Sequence, residues 1–164
     1  MYTKKSLILL FKNIRDHSFG DVCSNSKVML KSMHASGWSS PFDGNVYLNI
    51  RKINKCKLSV KSVEGLIAHE LSHQVSYRKR SFISKWLYLW NYYLSRQKRK
   101  LIENEADIIA VERGYGQGLL KYKRQMITFD LKDKKRYAMV KQVYNSPQEI
   151  EKLIKQHAGN RRSK

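Results

Sequence analysis

The chain has 164 residues, of which 41% are hydrophobic, and this length suits one domain with one hydrophobic core rather than two. Its 33 Lys and Arg against 13 Asp and Glu give a net charge of +20, so we expect a positive surface whose anionic partner would be nucleic acid or a membrane surface. The two cysteines, Cys23 and Cys56, are too few for a disulfide framework and too far apart for a zinc knuckle, which favours a cytoplasmic protein.

The N-terminal third predicts one helix and two short strands. Leu7, Leu10, Phe11 and Ile14 recur at helical spacing, and this apolar run is too short for the core of a signal peptide. Residues 16–45 are rich in turn-forming residues and leave room for a strand at Val28–Leu30. The best strand candidate follows the turn at residues 43–45 and consists of Val46, Tyr47, Leu48, Asn49 and Ile50.

Helices dominate the remainder of the chain. Apolar residues at helical spacing predict a long helix over residues 60–77, capped by Ser59 or Ser62. Two further helices are expected over residues 81–95 and 98–113, the second closed by Gly114. A capping box that begins at Ser146 predicts a last helix to about His157.

One motif in the long helix points to chemistry. Residues 69–73 read His-Glu-Leu-Ser-His, and histidines four residues apart on a helix lie on one face, where both can bind a single metal ion. Glu70 follows the first histidine and is placed to act on a water molecule rather than on the metal. Hydrolysis needs this combination, because zinc lowers the pKa of its water while a carboxylate accepts the proton.

A catalytic zinc ion needs a third protein ligand beside His69 and His73. The candidates are His157 and the acidic cluster at residues 103–107. On a helical wheel Glu103 and Asp107 share the apolar side of their helix, which makes Glu103 the inward carboxylate and favours it over His157. Asp107 can then accept a hydrogen bond from the outer nitrogen of a ligand histidine.

The paired motifs, His-Glu-Leu-Ser-His at 69–73 and Glu-Asn-Glu-Ala-Asp at 103–107, resemble the gluzincin pattern HExxH plus ExxAD. This pattern is found in HtpX-like and CAAX-prenyl-protease-like membrane peptidases and in the small soluble minigluzincins. The resemblance covers residues 46–120 and implies an α+β, zincin-like metallopeptidase domain, with a short mixed sheet over the motif helix and additional C-terminal helices. It implies one catalytic Zn2+ held by His69, His73 and Glu103, with Glu70 as base and Asp107 behind a ligand.

The resemblance also implies how a peptide or protein substrate would bind. Residues 46–50 would form the edge strand of the sheet, to which an extended peptide adds by main-chain hydrogen bonds. A donor for the oxyanion is expected near the metal. Tyr115, His34 and Tyr77 are candidates among which spacing does not decide, and we name Tyr115 first.

Membrane members of this family carry transmembrane helices between the two motifs, whereas residues 82–94 would span only about 20 Å of a bilayer core of about 30 Å. We therefore expect no transmembrane span. This segment is nevertheless rich in aromatic residues and flanked by cations, as in helices that lie at a membrane surface. Burial in the core is the simpler interpretation.

The core is expected to end near residue 120, followed by a basic, helical extension over residues 121–164. Lysines, arginines and aromatic residues alternate there, a composition compatible with nucleic-acid binding. A second hypothesis is that this extension covers the cleft and keeps the enzyme latent. The rival to a zinc endopeptidase is a basic nucleic-acid-binding protein with a structural or vestigial zinc site, or a DNA-associated SprT-like protease, although those proteases use a third histidine.

Overall fold

The structure is a computed structural model that describes residues 1–131 and 133–162. Lys132, Ser163 and Lys164, which belong to the predicted extension, lie outside the described residues. In chain order the elements are α1 (Lys4–Ser18), α2 (Gly20–Cys23), β1 (Val28–Leu30), β2 (Gly37–Ser39), β3 (Val46–Leu48), α3 (Ile50–Lys55), α4 (Val60–Arg78), α5 (Phe82–Leu94), α6 (Arg96–Glu112), α7 (Gly116–Asp130), α8 (Lys134–Val143) and α9 (Pro147–Arg162). Most described residues are helical and the strands form one small mixed sheet, which is compatible with the predicted α+β class.

The centre of the fold is α4, the helix that carries the His-Glu-Leu-Ser-His motif. Ser59 caps its start by accepting a hydrogen bond from the amide of Ser62, as the sequence predicts. Every residue from 65 to 77 is buried, so α4 is enclosed on all sides rather than amphipathic. The helices α1, α6 and α7 and the strand β2 pack around it.

The sheet has the order β1-β3-β2, with β1 parallel and β2 antiparallel to β3. The prediction that residues 46–50 form an edge strand is therefore wrong, because Val46, Tyr47 and Leu48 pair on both sides. Asn49 instead caps α3, accepting a hydrogen bond from the amide of Lys52, and Ile50 begins that helix. Local β-propensity identified the strand but carries no information about its neighbours.

The helix α5 has the predicted bounds but not the predicted burial. We expected its side chains to be buried in the core, but Tyr88 is the one α5 side chain that is buried. Seven of its large apolar side chains are exposed: Phe82, Ile83, Trp86, Leu87, Trp90, Tyr93 and Leu94. No helix among the described residues is both long and apolar enough to cross a membrane.

The predicted boundary near residue 120 falls inside α7, which packs along α4 and belongs to the core. Gly65 of α4 and Gly118 of α7 allow the two backbones to meet, since a Cβ on Gly65 would lie 2.2 Å from the carbonyl carbon of Gly118. The capping box at the start of α9 is confirmed, because Ser146 and Glu149 exchange backbone-to-side-chain hydrogen bonds. Ile150 of α9 is fully buried in the same core.

Candidate metal centre

Two adjacent turns of α4 present His69 and His73 to the same side. Both residues are only 5% exposed, and their ring centroids lie 4.8 Å apart. This placement follows from helical geometry, because residues four apart lie one above the other on a helix face. The two imidazoles can therefore bind the same metal ion.

Glu103 brings a carboxylate to this pair from α6. Its Oε2 lies 3.1 Å from Nε2 of His69 and 3.8 Å from Nε2 of His73. The neighbouring Ala106 is fully buried, and its small side chain suits close packing of α6 on α4. His69, His73 and Glu103 form a buried group whose ligand atoms all lie within 4.8 Å of one another and could hold a metal ion. His157 is not part of this group.

The outer nitrogen of His69 is held by Asp107, as the sequence predicts. Nδ1 of His69 donates to Oδ1 of Asp107 at 2.7 Å, and this bond leaves Nε2 facing Glu103. With Nδ1 acting as donor, a neutral His69 presents a lone pair to the carboxylate of Glu103. Two acceptors 3.1 Å apart require a positive charge between them, either a proton or a metal ion.

The pKa values of the group reflect this arrangement. Burial alone would lower the pKa of His69, but the charge of Asp107 and hydrogen bonds to Asp107 and Glu103 raise it to about 10. Burial opposes ionisation of Glu103, yet hydrogen bonds from both histidines and their charges hold its pKa well below the usual range. Such a donor set, two imidazoles and an ionised carboxylate, is one that zinc accepts.

Two further side chains, Lys123 and Asn145, support Asp107 from the C-terminal half of the chain. Nζ of Lys123 lies 3.1 Å from Oδ2 of Asp107, and the side-chain amide of Asn145 donates to the same oxygen at 3.0 Å. Burial raises the pKa of Asp107, but the charges of Lys123 and His69 more than offset that effect and lower it. Asp107 is thus an ionised carboxylate, and both of its oxygens accept hydrogen bonds.

Glu70 lies beside the histidines at the wall of a cleft. It lines a cavity of about 910 Å³, together with His69, His73 and Glu103. Burial raises the pKa of its carboxyl group, an effect partly offset by the charges of the two histidines. The backbone of β2 runs against this carboxylate, since a Cβ on Gly37 would lie 2.5 Å from its Oε1.

The structure does not place the first-named oxyanion donor at this cleft. The hydroxyl of Tyr115 pairs with that of Ser18 at 2.9 Å, and Tyr115 is not among the residues that line the cavity. Spacing along the sequence did not decide among the three candidates, because it does not show which side chains reach the cleft. The other two candidates, His34 and Tyr77, do line the cavity, and the ring of Tyr77 stacks on that of His73.

Sequence reasoning missed the side chains that hold the group from outside. The hydroxyl of Tyr92 donates to Oε1 of Glu103 at 2.7 Å, and Arg99 lies over the ring of Tyr92. Lys123 and Asn145 come from a region interpreted as a basic surface extension. None of these contacts leaves a periodic signal in the sequence, because each joins side chains on different helices or segments.

Comparisons with protein-family models, with curated proteins and with solved structures found no match.

Proposed function

We propose that the chain is a zinc-dependent endopeptidase of the gluzincin type with a zincin-like fold. The observation that carries the proposal is that the buried group of His69, His73 and Glu103 adjoins Glu70 at the wall of a cleft. Two imidazoles and one carboxylate would hold a zinc ion by three protein ligands, the number found in hydrolytic zinc sites. When bound there, zinc would supply a Lewis acid that activates water and polarises the scissile carbonyl.

Glu70 is the proposed general base. The Nε2 atoms of His69 and His73 face Glu103. Glu70 lines the same cleft, where a substrate carbonyl and a water molecule would meet. It accepts the proton of the attacking water and returns it to the leaving amine. The raised pKa of Glu70 makes its carboxylate a stronger proton acceptor.

The residues around the group orient it. Asp107 fixes which nitrogen of His69 faces inward, and Tyr92 fixes the carboxylate of Glu103 through its second oxygen. Partners of this kind set ligand orientation and raise ligand basicity. They support a site built for a metal rather than a chance cluster of buried polar side chains.

We propose β2, rather than β3, as the strand that binds the substrate. Among the described residues β2 pairs with β3 alone, so its outer side is an edge to which an extended peptide can add. Gly37 of this strand contacts Glu70, so a peptide bound along β2 would pass the proposed base. The substrate class is therefore a polypeptide in extended conformation.

A structural zinc site is the alternative. Such a site has no need of a carboxylate next to the first histidine, nor of a large cleft beside the ligands, and the position of Glu70 favours hydrolysis. Latency through the C-terminal segment stays a prediction. Val140, Tyr144 and Asn145 of that segment line one wall of the cavity.

Removal and return of the metal test the proposal. Dialysis against a zinc chelator should abolish hydrolysis of unfolded casein, and stoichiometric zinc should restore it. Glu103→Ala should not be restored, because it removes a ligand. Glu112→Ala, on the same helix but exposed, is the matched control and should be restored like the wild type. Casein hydrolysis that persists in the chelated protein would contradict the proposal.

A further inference from the structure

The outward face of α5 is apolar, although the helix lies at the surface. At 100° per residue, its seven exposed apolar side chains fall within one continuous arc of roughly 140°. Trp86 and Trp90, at 54% and 67% exposure, lie in the middle of that arc. We call these seven side chains the α5 face, and they are Phe82, Ile83, Trp86, Leu87, Trp90, Tyr93 and Leu94.

The inward side of α5 is the more polar one. Tyr88 is 7% exposed, with the guanidinium of Arg80 4.3 Å from its ring centroid, and Tyr92 reaches Glu103. The helix packs mainly against α6. This inversion of the usual amphipathic pattern is costly in water, so the α5 face indicates contact with an apolar partner.

The apolar surface continues beyond α5 onto the loop before β3. The exposed ring of Phe42 lies 5.8 Å from that of Phe82 and 4.8 Å from that of Trp86. Side chains from two separate parts of the chain therefore form one patch. Isolated exposed apolar residues need no explanation, but a contiguous patch of this kind marks an interaction surface.

Cations border this patch at both ends of α5. Arg78 and Lys79 precede the helix, Arg96 and Lys98 follow it, and all four are exposed. The sequence contains no Asp or Glu between Glu70 and Glu103. Of the acidic side chains on α6, Glu103 is buried in the metal group and Glu105 is paired with Arg80. The patch is thus apolar at its centre and positive at its rim.

We propose that the α5 face docks on the surface of an anionic lipid bilayer. Tryptophan and tyrosine rings sit at the boundary between headgroups and acyl chains, aliphatic side chains reach into it, and flanking cations meet anionic headgroups. At about 1.5 Å per residue the helix is too short to cross the bilayer, so it lies in the plane of the surface.

Two other partners fit the patch less well. A second copy of this chain would bring the positive rims of two α5 faces together, on proteins that each carry a net charge of +20. A nucleic acid needs cations among the aromatic rings, along its phosphates. Here Ile83, Leu87 and Leu94 occupy the arc instead, and the exposed cations lie at the ends.

Docking would place the cleft next to the bilayer. Leu89, Tyr92 and Tyr93 of α5 line the cavity, so one helix forms both the cavity wall and the apolar patch. Trp38 of β2, another exposed aromatic side chain, also lines the cavity. Polypeptides at the membrane surface are then the ones that reach the cleft.

Sedimentation with lipid vesicles tests the proposal on the full chain. Vesicles of phosphatidylcholine with phosphatidylglycerol should bind the protein at least tenfold more strongly than vesicles of phosphatidylcholine alone. The double variant W86Q/W90Q should lose about tenfold or more of its binding to the anionic vesicles. Because both side chains are exposed, its circular dichroism spectrum should match that of the wild type.

Leu9→Gln is the matched control, because Leu9 is 68% exposed on α1, and its binding should equal that of the wild type. Absence of wild-type binding to anionic vesicles would overturn the proposal, and so would equal binding by W86Q/W90Q. A dimer in solution that the double variant disrupts, without vesicle binding, would assign the face to a second copy. Binding to DNA but not to vesicles would assign it to nucleic acid. Vesicle binding requires neither metal nor hydrolysis, so its outcome is independent of the proposed peptidase activity.

Discussion

Asp107 supports the candidate metal centre by binding the outer nitrogen of His69. Its Oδ1 accepts a hydrogen bond from Nδ1 of His69, and its Oδ2 contacts Lys123 and Asn145, so α4, α6, α7 and the segment after α8 converge on one carboxylate. A buried charge that joins four parts of the chain has both a geometric and an electrostatic role. Its neutralisation should therefore affect metal affinity and stability together.

Replacement of Asp107 by Asn tests this role. The variant loses the charge that favours the inward-facing Nε2 of His69 and leaves the ammonium of Lys123 buried without its carboxylate. Zinc affinity should fall by about 10- to 100-fold, as measured by competition with a chromophoric chelator. The control Asp16→Asn, at an exposed ion pair with Arg15, should bind zinc like the wild type. Unchanged affinity in Asp107→Asn would show that His69 needs no such support.

Helical periodicity was sufficient to predict the inward side of α6. Glu103 and Asp107 share that side, and both are found at His69. Tyr92, Lys123 and Asn145 could not be predicted, because each reaches the group through tertiary contacts between separate helices. Polar contacts of this kind leave no periodic signal in the sequence.

The crossing of α4 and α7 is the closest helix contact at the scale of elements. Gly65 and Gly118 meet there, and a Cβ on Gly118 would lie 2.5 Å from the carbonyl oxygen of Lys61. Backbone atoms cannot move aside as the end of a side chain can. The two glycines therefore set the distance between the motif helix and the helix that carries Lys123.

Gly65→Ala should destabilise the protein by about 1–3 kcal/mol or more, because the added methyl group overlaps the backbone of α7. Urea unfolding followed by circular dichroism measures this change. The control is Gly159→Ala on α9, where a Cβ meets nothing within 4 Å, and helix propensity predicts no loss of stability. Equal stability of the two variants would contradict the close crossing.

Sequence patterns predicted which residues form helices better than they predicted which elements pack together. The bounds of α4, α5 and the start of α9 agree with periodicity and capping residues, since these signals are local. By contrast, the start of α7 was missed because no side chain caps it, and its Gly116 and Gly118 allow close packing. The strand β2 was missed because Gly-Trp-Ser shows no alternation.

These contacts also affect the interpretation of a tail deletion. A chain that ends near Lys123 would lose half of α7 and also Asn145, both of which contact the core or the metal centre. Inactivity of such a chain would not distinguish loss of folding from loss of function. Latency is better addressed with a full-length chain, by substitution of Tyr144 at the cavity wall.

At the scale of the whole molecule, the net charge of +20 is the dominant feature. Composition predicted a positive surface, but only the structure shows where apolar and charged regions meet, at α5. Such a charge destabilises the compact state through self-repulsion, which dissolved salt screens. We expect the protein to gain stability as ionic strength rises.

Thermal unfolding in sodium chloride measures this effect. Between about 0.01 M and about 0.15 M salt the Debye length falls from about 30 Å to about 8 Å, so repulsion across the molecule is largely removed. The Tm should rise by a few degrees over this range. A fall in Tm would indicate that local ion pairs, such as the one between Arg113 and Asp21, outweigh the overall repulsion.

Zinc content and casein cleavage, measured together in the wild type, in Glu70→Gln and in the control Glu64→Gln on the same helix, test the proposed peptidase activity most directly. About one zinc ion per chain is expected in all three proteins. Cleavage by the wild type and the control and loss of cleavage in Glu70→Gln are expected, because Glu70, unlike Glu64, lines the cavity beside His69 and His73. A wild-type protein that binds no zinc, or a Glu70→Gln variant that cleaves casein like the wild type, would contradict the proposal of a zinc peptidase with Glu70 as its base.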